Sequence, residues 1–248
     1  VESGRDVRTL KGHTEEIVSV EFSPDGERIL TGSLDRTVRL WNTKSGREIK
    51  RFRGFFGRFH PQRRYSRRLG RHVWDIAVAD RDDRIKIRSG DTWELTSSFE
   101  AYSGESRQLE FSPKSGTYLA AWDDSGLIRI IETATGRHVR THAGRHACFD
   151  PSFRYIAIET DGGETQLLDY RTGQTRSTVQ GFSPRFSPEG KYPITAATTQ
   201  EEMLRALVHD GETGRLLLSL PGYLYKYYAR PRFSAAFSPE GRFLGVQA

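Results

Sequence analysis

The chain has 248 residues, 35% hydrophobic and 28% charged, which suits one large all-β domain or two small ones and excludes a disordered chain. Its one cysteine, Cys148, excludes an internal disulfide, and no apolar run approaches the roughly 18 residues of a membrane span. The net charge of +6 is local: eight arginines and no acid lie between Arg51 and Arg71, and without them the balance would be −2.

The opening residues do not read as a signal peptide; residues 1–10 carry a Ser3-Gly4-Arg5 turn and then the outer strand of a terminal blade. The next stretch, 11–52, sets a pattern. Apolar residues at Ile17, Val18, Val20 and Phe22 lead into Ser23-Pro24-Asp25-Gly26, and Ile29 and Leu30 follow. Proline presets φ near −65° at the second turn position, aspartate can hold the turn with its side chain, and glycine accepts the left-handed conformation, so the stretch predicts a hairpin. A third strand, Thr37–Trp41, reaches a second turn at Ser45-Gly46-Arg47, and a fourth runs from Glu48 to Phe52.

Both turns recur along the chain. The Phe-x-Pro tripeptide begins at Phe22, Phe59, Phe111, Phe149, Phe186 and Phe237, in steps of 37, 52, 38, 37 and 51 residues. The second turn recurs at Thr135-Gly136-Arg137, Thr172-Gly173-Gln174 and Thr213-Gly214-Arg215, with Thr92-Trp93-Glu94 in the remaining slot. Phe182-Ser183-Pro184 is an additional match out of frame. Two turns per period of about 40 residues define four strands per unit, and four-stranded units that cannot bury both faces alone stack radially. The units are 11–52, 53–99, 100–141, 142–179 and 180–220, with a partial sixth over 221–248, all within a single domain over 1–248.

Within 53–99 twelve residues, Pro61–His72, separate the first turn from the apolar stretch Val73–Val78, and ten of them are an insertion relative to the first unit. The reading here is either a solvated loop or a basic finger for polyanions through Arg58, Arg63, Arg64, Arg67, Arg68 and Arg71, since arginine binds phosphate bidentately. A shift of reading frame in the gene is a third reading. Between units five and six, Tyr223, Tyr225 and Tyr227 interleave with Lys226 and Arg230, which fits either peptide or single-strand contact or an inward-packed strand. His138, His142, His146 and Cys148 have ligand chemistry but fall on a strand and loop, not on one helix face, so no metal site is expected.

The residues Leu10-Lys11-Gly12-His13-Thr14, Phe22-Ser23-Pro24-Asp25-Gly26 and Thr31-Gly32-Ser33-Leu34-Asp35 through Leu40-Trp41-Asn42 resemble a WD40 repeat, with Asn42 in place of the usual Asp. The resemblance extends over nearly the whole chain but weakens, the Trp41 slot becoming Arg88, Ile131, Leu168 and His209. It implies an all-β propeller of four-stranded antiparallel blades, five complete and one partial. Its ring would be closed by strands from both ends or left open in a segment of a larger propeller; the segment is favoured because an exposed strand edge invites aggregation. It also implies a structural hydrogen-bonded tetrad at His13, Ser33, Asp35 and Trp41. Its implied function is non-catalytic protein interaction through the narrow-end loops, where Glu15, Glu16, Leu34 and Arg36 sit in the first unit. No motif for zinc-protease, nucleophile-elbow or phosphate-loop chemistry occurs. The expectation is a cytoplasmic scaffold, bacterial in style, that binds protein or peptide partners, with weak non-specific nucleic-acid binding as the alternative and no cofactor, metal or membrane.

Overall fold

The computed structural model describes residues 9–102, 108–152, 154–198, 203–224, 234–238 and 244–247. Among them there is no helix, and none therefore that is long and apolar enough to cross a membrane. The strands form five four-stranded antiparallel sheets and one two-stranded sheet. The first sheet is β1 (Ile17–Phe22), β2 (Arg28–Ser33), β3 (Thr37–Asn42) and β4 (Glu48–Arg53); the second is β5 (Phe56–Ser66), β6 (Arg71–Ala79), β7 (Arg84–Arg88) and β8 (Leu95–Glu100). The third is β9 (Gln108–Phe111), β10 (Tyr118–Trp122), β11 (Leu127–Glu132) and β12 (His138–Ala143). The fourth is β13 (His146–Phe149), β14 (Tyr155–Glu159), β15 (Glu164–Asp169) and β16 (Thr175–Gln180). The fifth is β17 (Phe182–Phe186), β18 (Pro193–Thr198), β19 (Met203–His209) and β20 (Leu216–Leu224), and β21 (Ser234–Phe237) pairs with β22 (Leu244–Gln247).

The turn chemistry accounts for this regularity. The Phe of the tripeptide ends β1, β9, β13, β17 and β21. The middle residue turns inward: Ser23, Ser112, Asp150 and Ser187 are all buried. Ser23 Oγ accepts the Arg28 amide at 2.9 Å and Ser187 Oγ the Tyr192 amide at 3.1 Å, which closes each hairpin from inside. The second turn is held by a side-chain oxygen accepting backbone amides, Asn42 from Ser45, Asp169 from Thr172 and Asp210 from Thr213, each at 2.8–2.9 Å. Asn42 thus does the same work as an aspartate. In the second sheet the left-handed residue of this turn is Trp93, with φ of 64° where the other sheets have glycine. Its ring lies against Phe52, centroids 6.4 Å apart, and under the Arg28 guanidinium at 5.0 Å.

In each four-stranded sheet the ladder between third and fourth strands shifts register just before Trp41, Arg88, Ile131, Leu168 or His209, and in the fifth it shifts also between Met203 and Arg205. A bulge strengthens the local twist and re-aims the residue beside it.

The chain divides into two compact units, Val1–Phe111 with Ser115–Ala121 and Glu132–Arg137, and Ser112–Lys114 with Trp122–Ile131 and His138–Ala248. In the first, Leu30, Val38, Leu40 and Phe52 of one sheet meet Phe59, Ile76 and Val78 of the next, with Trp74 and Trp93 packed at the edge. In the second, Ile128, Ile130, Phe149, Ile156, Ile158, Leu167 and Ile194 are buried on alternate strand positions.

The insertion is not a loop. Arg63, Arg64, Tyr65 and Ser66 pair with Trp74, Val73, His72 and Arg71, so the strands continue past an irregularity between Phe59 and Arg63 to a four-residue turn at 67–70. Ser66 and Val73 are each 1% exposed. Arg64, Ser66 and Val73 share one face of the extension, which is turned inward, and a solvated loop has no such face.

Candidate functional site

The four loop residues of the first unit come together at one end of its sheet. The Leu34 amide donates to the Glu16 carbonyl at 3.0 Å and Ser33 Oγ to the Glu15 carbonyl at 3.1 Å, tying the entry segment to the β2–β3 turn. Arg36 takes a left-handed φ of 67°, which turns the chain into β3. Leu34 is 49% exposed, and Ile17, paired with Ser33, is 40% exposed. This end thus carries two exposed apolar side chains, Leu34 and Ile17, in the same segments as the exposed Glu15, Glu16 and Arg36.

A buried network fixes this end. His13 Nδ1 meets Asp35 Oδ2 at 2.7 Å and His13 Nε2 meets Thr31 Oγ1 at 2.7 Å. The Trp41 indole N–H donates to the same Thr31 oxygen at 2.8 Å. The hydroxyl between tryptophan and histidine is therefore that of Thr31, correcting the assignment of that role to Ser33. Ser33 instead accepts the Asp35 amide at 3.1 Å while donating to Glu15. Both residues lie on β2 two positions apart, and only the distance to the indole separates them. With Asp35 as acceptor, the chain of bonds assigns the proton of neutral His13 to Nδ1. Burial by itself raises the Asp35 pKa, but hydrogen bonds from Thr37, His13 and the Thr14 and Thr37 amides overcome it and hold the carboxyl well below the ordinary range. Arg39 joins Asp35 to Glu48, at 3.5 and 3.0 Å.

The fifth sheet keeps a reduced version. His209 occupies the slot of Trp41, and Thr195 the slot of Thr31; His209 Nε2 lies 3.1 Å from Thr195 Oγ1, both buried. The second sheet keeps the flank instead, Lys86 replacing Arg39 and bonding Asp82 four residues before it at 2.7 Å.

The six arginines read as a polyanion site do not act alike. Arg64 reaches Asp75 at 2.9 Å, Asp91 at 2.7 Å and Ser89 at 2.6 Å. Ser66 donates to Asp91 at 2.6 Å, Arg68 donates to its carbonyl, and Arg71 pairs with Glu27 at 3.1 Å. Hydrogen bonds from Arg64, Ser66 and Ser89 hold the Asp91 pKa far below its usual value. Arg58 lies half-buried over the Phe56 ring at 4.4 Å. Arg63 and Arg67 are exposed and make no hydrogen bond or ion pair among the described residues. Asp91 as a latch carried no signal in the sequence beyond being an acid in a turn. A second clasp is steric: a Cβ on Gly90 would strike the Trp74 backbone carbonyl. Gly90→Ala is accordingly expected to cost about 1–3 kcal/mol and to speed amide exchange at 63–66 and 71–74; unchanged exchange there would show that the hairpin does not depend on this approach.

Tyr223 belongs to β20, whereas Tyr225 and Tyr227 lie outside the described residues. His138 and His142 lie on β12 and His146 on β13; burial lowers the His142 pKa, and among the described residues no three ligand-type side chains converge. Among the described residues, a cleft of about 380 Å³ lies beside Glu21, Arg58 and Phe111, and one of about 410 Å³ beside Tyr155, Lys191 and Asp210.

Residues 4–42 match the family described as WD domain, G-beta repeat. The chain is 26% identical over 212 residues to eukaryotic translation initiation factor 3 subunit I of Aspergillus niger, covering 82% of this chain and 53% of that protein. It is 26% identical over 206 residues to protein tipD of Dictyostelium discoideum, covering 77% and 32%. The chain thus spans about half the length of the first of these relatives and a third of the second, and both are eukaryotic rather than bacterial. Over 44 residues, 18% of this chain and 6% of that protein, identity to protein groucho of Drosophila melanogaster reaches 46%. A chain in the crystal structure of the mitotic checkpoint complex superposes with a TM-score of 0.71 at 16% identity, covering 96% of this chain and 73% of that one. That likeness shows the fold.

Proposed function

We propose that this chain of four-stranded sheets, whose residues 4–42 match a WD repeat, is a non-catalytic interaction module that seats a protein or peptide partner on the first sheet's Leu34 end. The observation that carries the reading is the exposure of Leu34 and Ile17 on two segments tied together by the Leu34–Glu16 hydrogen bond, beside exposed Glu15, Glu16 and Arg36. Protein interfaces combine an apolar centre with a polar rim, and the centre supplies most of the binding energy. The charges here are of both signs, which selects a partner by complementarity rather than by net attraction. Rigidity supports the reading too. The Asp35 network holds both loops before any partner arrives, so little ordering entropy is lost on binding. One relative is by its name a subunit of a translation initiation factor, which is consistent with a role inside protein complexes.

A photo-reactive residue at position 34, introduced in the native host, is expected to give a light-dependent adduct with a discrete protein. The adduct should weaken at least tenfold when Glu15 and Glu16 are changed to alanine. The same probe at Lys44, on the exposed second turn of the blade, should give none. Adducts of equal strength at both positions, or none at 34, would remove this surface as the partner site.

A further inference from the structure

The hairpin of the second sheet has two unlike faces beyond its irregularity. Arg64, Ser66 and Val73 lie on one, which is used internally: Ser66 and Val73 are buried and Arg64 is locked to Asp75 and Asp91. Arg63 and Tyr65 lie on the other, two residues apart and hence about 7 Å along the strand. His72 is the register partner of Tyr65, and Trp74 that of Arg63. Tyr65 is 57% exposed, and its ring meets that of His72 edge to face, centroids 5.5 Å apart. Arg67 stands in the tip turn just beyond. Asp75 and Asp91 share Arg64, and Glu27 pairs with Arg71, so these acids are engaged on the inner face and the tip rather than by Arg63 or Arg67. Arg63 and Arg67, which make no hydrogen bond or ion pair among the described residues, flank an exposed aromatic pair.

We propose that this face binds single-stranded nucleic acid, with the Arg63 and Arg67 guanidiniums on successive backbone phosphates and a base stacked on Tyr65 against His72. An acidic peptide would use the arginines but leaves the rings without a planar partner. A duplex hides its base faces. A single strand offers both phosphate and exposed base, and every base has a π-face, so contact is independent of sequence. The surface is independent of the Leu34 end, so either reading can fail alone.

The test is fluorescence anisotropy of the whole chain with a labelled single-stranded oligothymidylate, the same strand lacking its bases, a duplex, and polyglutamate, across a salt series. Arg63→Ala with Arg67→Ala should flatten the slope of log affinity against log salt by about 1.4, since each phosphate contact on a single strand contributes about 0.7. Tyr65→Ala should weaken the oligothymidylate on the order of tenfold, as expected for one lost stack, while Tyr65→Phe keeps it. Neither arginine holds the fold, so the double variant should melt with the wild type. An unchanged slope, equal binding of the strand without bases, or tighter binding of polyglutamate or duplex would each overturn the proposal.

Discussion

Asp35→Ala is expected to destabilise the first blade by about 3 kcal/mol, because it leaves several buried donors without an acceptor at once. His13 Nδ1, Thr37 Oγ1 and the Thr37 amide all lie within 2.6–2.9 Å of this carboxylate, and Arg39 loses one of its two acids. Thr31→Val should cost about 1–3 kcal/mol by a different route, stranding the Trp41 indole and His13 Nε2. Ser33→Ala should cost less than either, because Ser33 stands outside the tryptophan–histidine relay. Urea melts of the three variants give the ranking, and a Ser33 variant less stable than the Thr31 variant would return the relay to Ser33. The network also sets an acid limit. The Asp35 pKa is depressed in the folded chain, so its contribution is fully present above the unfolded carboxylate pKa of about 3.9 and is lost progressively as pH falls below it. Wild type should therefore lose stability between pH 5 and 3 more steeply than Asp35→Ala, and parallel pH profiles would show that the network is not charged.

Leu40→Ala should cost about 2–5 kcal/mol, the range for emptying a leucine site that cannot collapse. Leu40 is fully buried between the first two sheets, among Leu30, Val38, Phe52, Phe59 and Ile76. Collapse is blocked by the closeness of the sheets: a Cβ placed on Gly57 would come within 2.8 Å of Leu30 and 2.9 Å of Val38. The urea midpoint should fall with little change in slope, as expected for lost packing rather than an altered unfolded state. A loss below 1 kcal/mol would mean that the sheets can slide together, and the seam between these two blades would then not be the rigid support assumed for the Leu34 end.

The strands and their order were legible in the sequence because their causes are local. A proline fixes its own φ, a glycine two residues on accepts the left-handed turn, and alternation over five residues decides which side chains turn inward. These rules found both turns of the first, third, fourth and fifth sheets but not the first turn of the second, where the Phe59 tripeptide lies inside β5 and the chain turns at 67–70. They even placed Trp93 in a slot made for glycine, though its reason for being there, Phe52 and Arg28 of the neighbouring sheet, is not local. The Leu34 end was half legible: Glu15, Glu16 and Arg36 follow from their loops, whereas the bond from Leu34 to Glu16 that joins those loops spans the whole first hairpin. What only the tertiary structure decided is which partner each polar group finds. Thr31 and Ser33 are both hydroxyls on one strand, and the choice between them depends on an indole ten residues away and an imidazole eighteen residues away. The run from Arg51 to Arg71 reads as uniform charge, yet Arg64 is taken up by acids eleven and twenty-seven residues downstream and Arg71 by Glu27 forty-four residues upstream, leaving Arg63 and Arg67 facing outward. Charge is a property of the residue, but neutralisation is a property of distances of about 3 Å, and those are set by how the sheets pack.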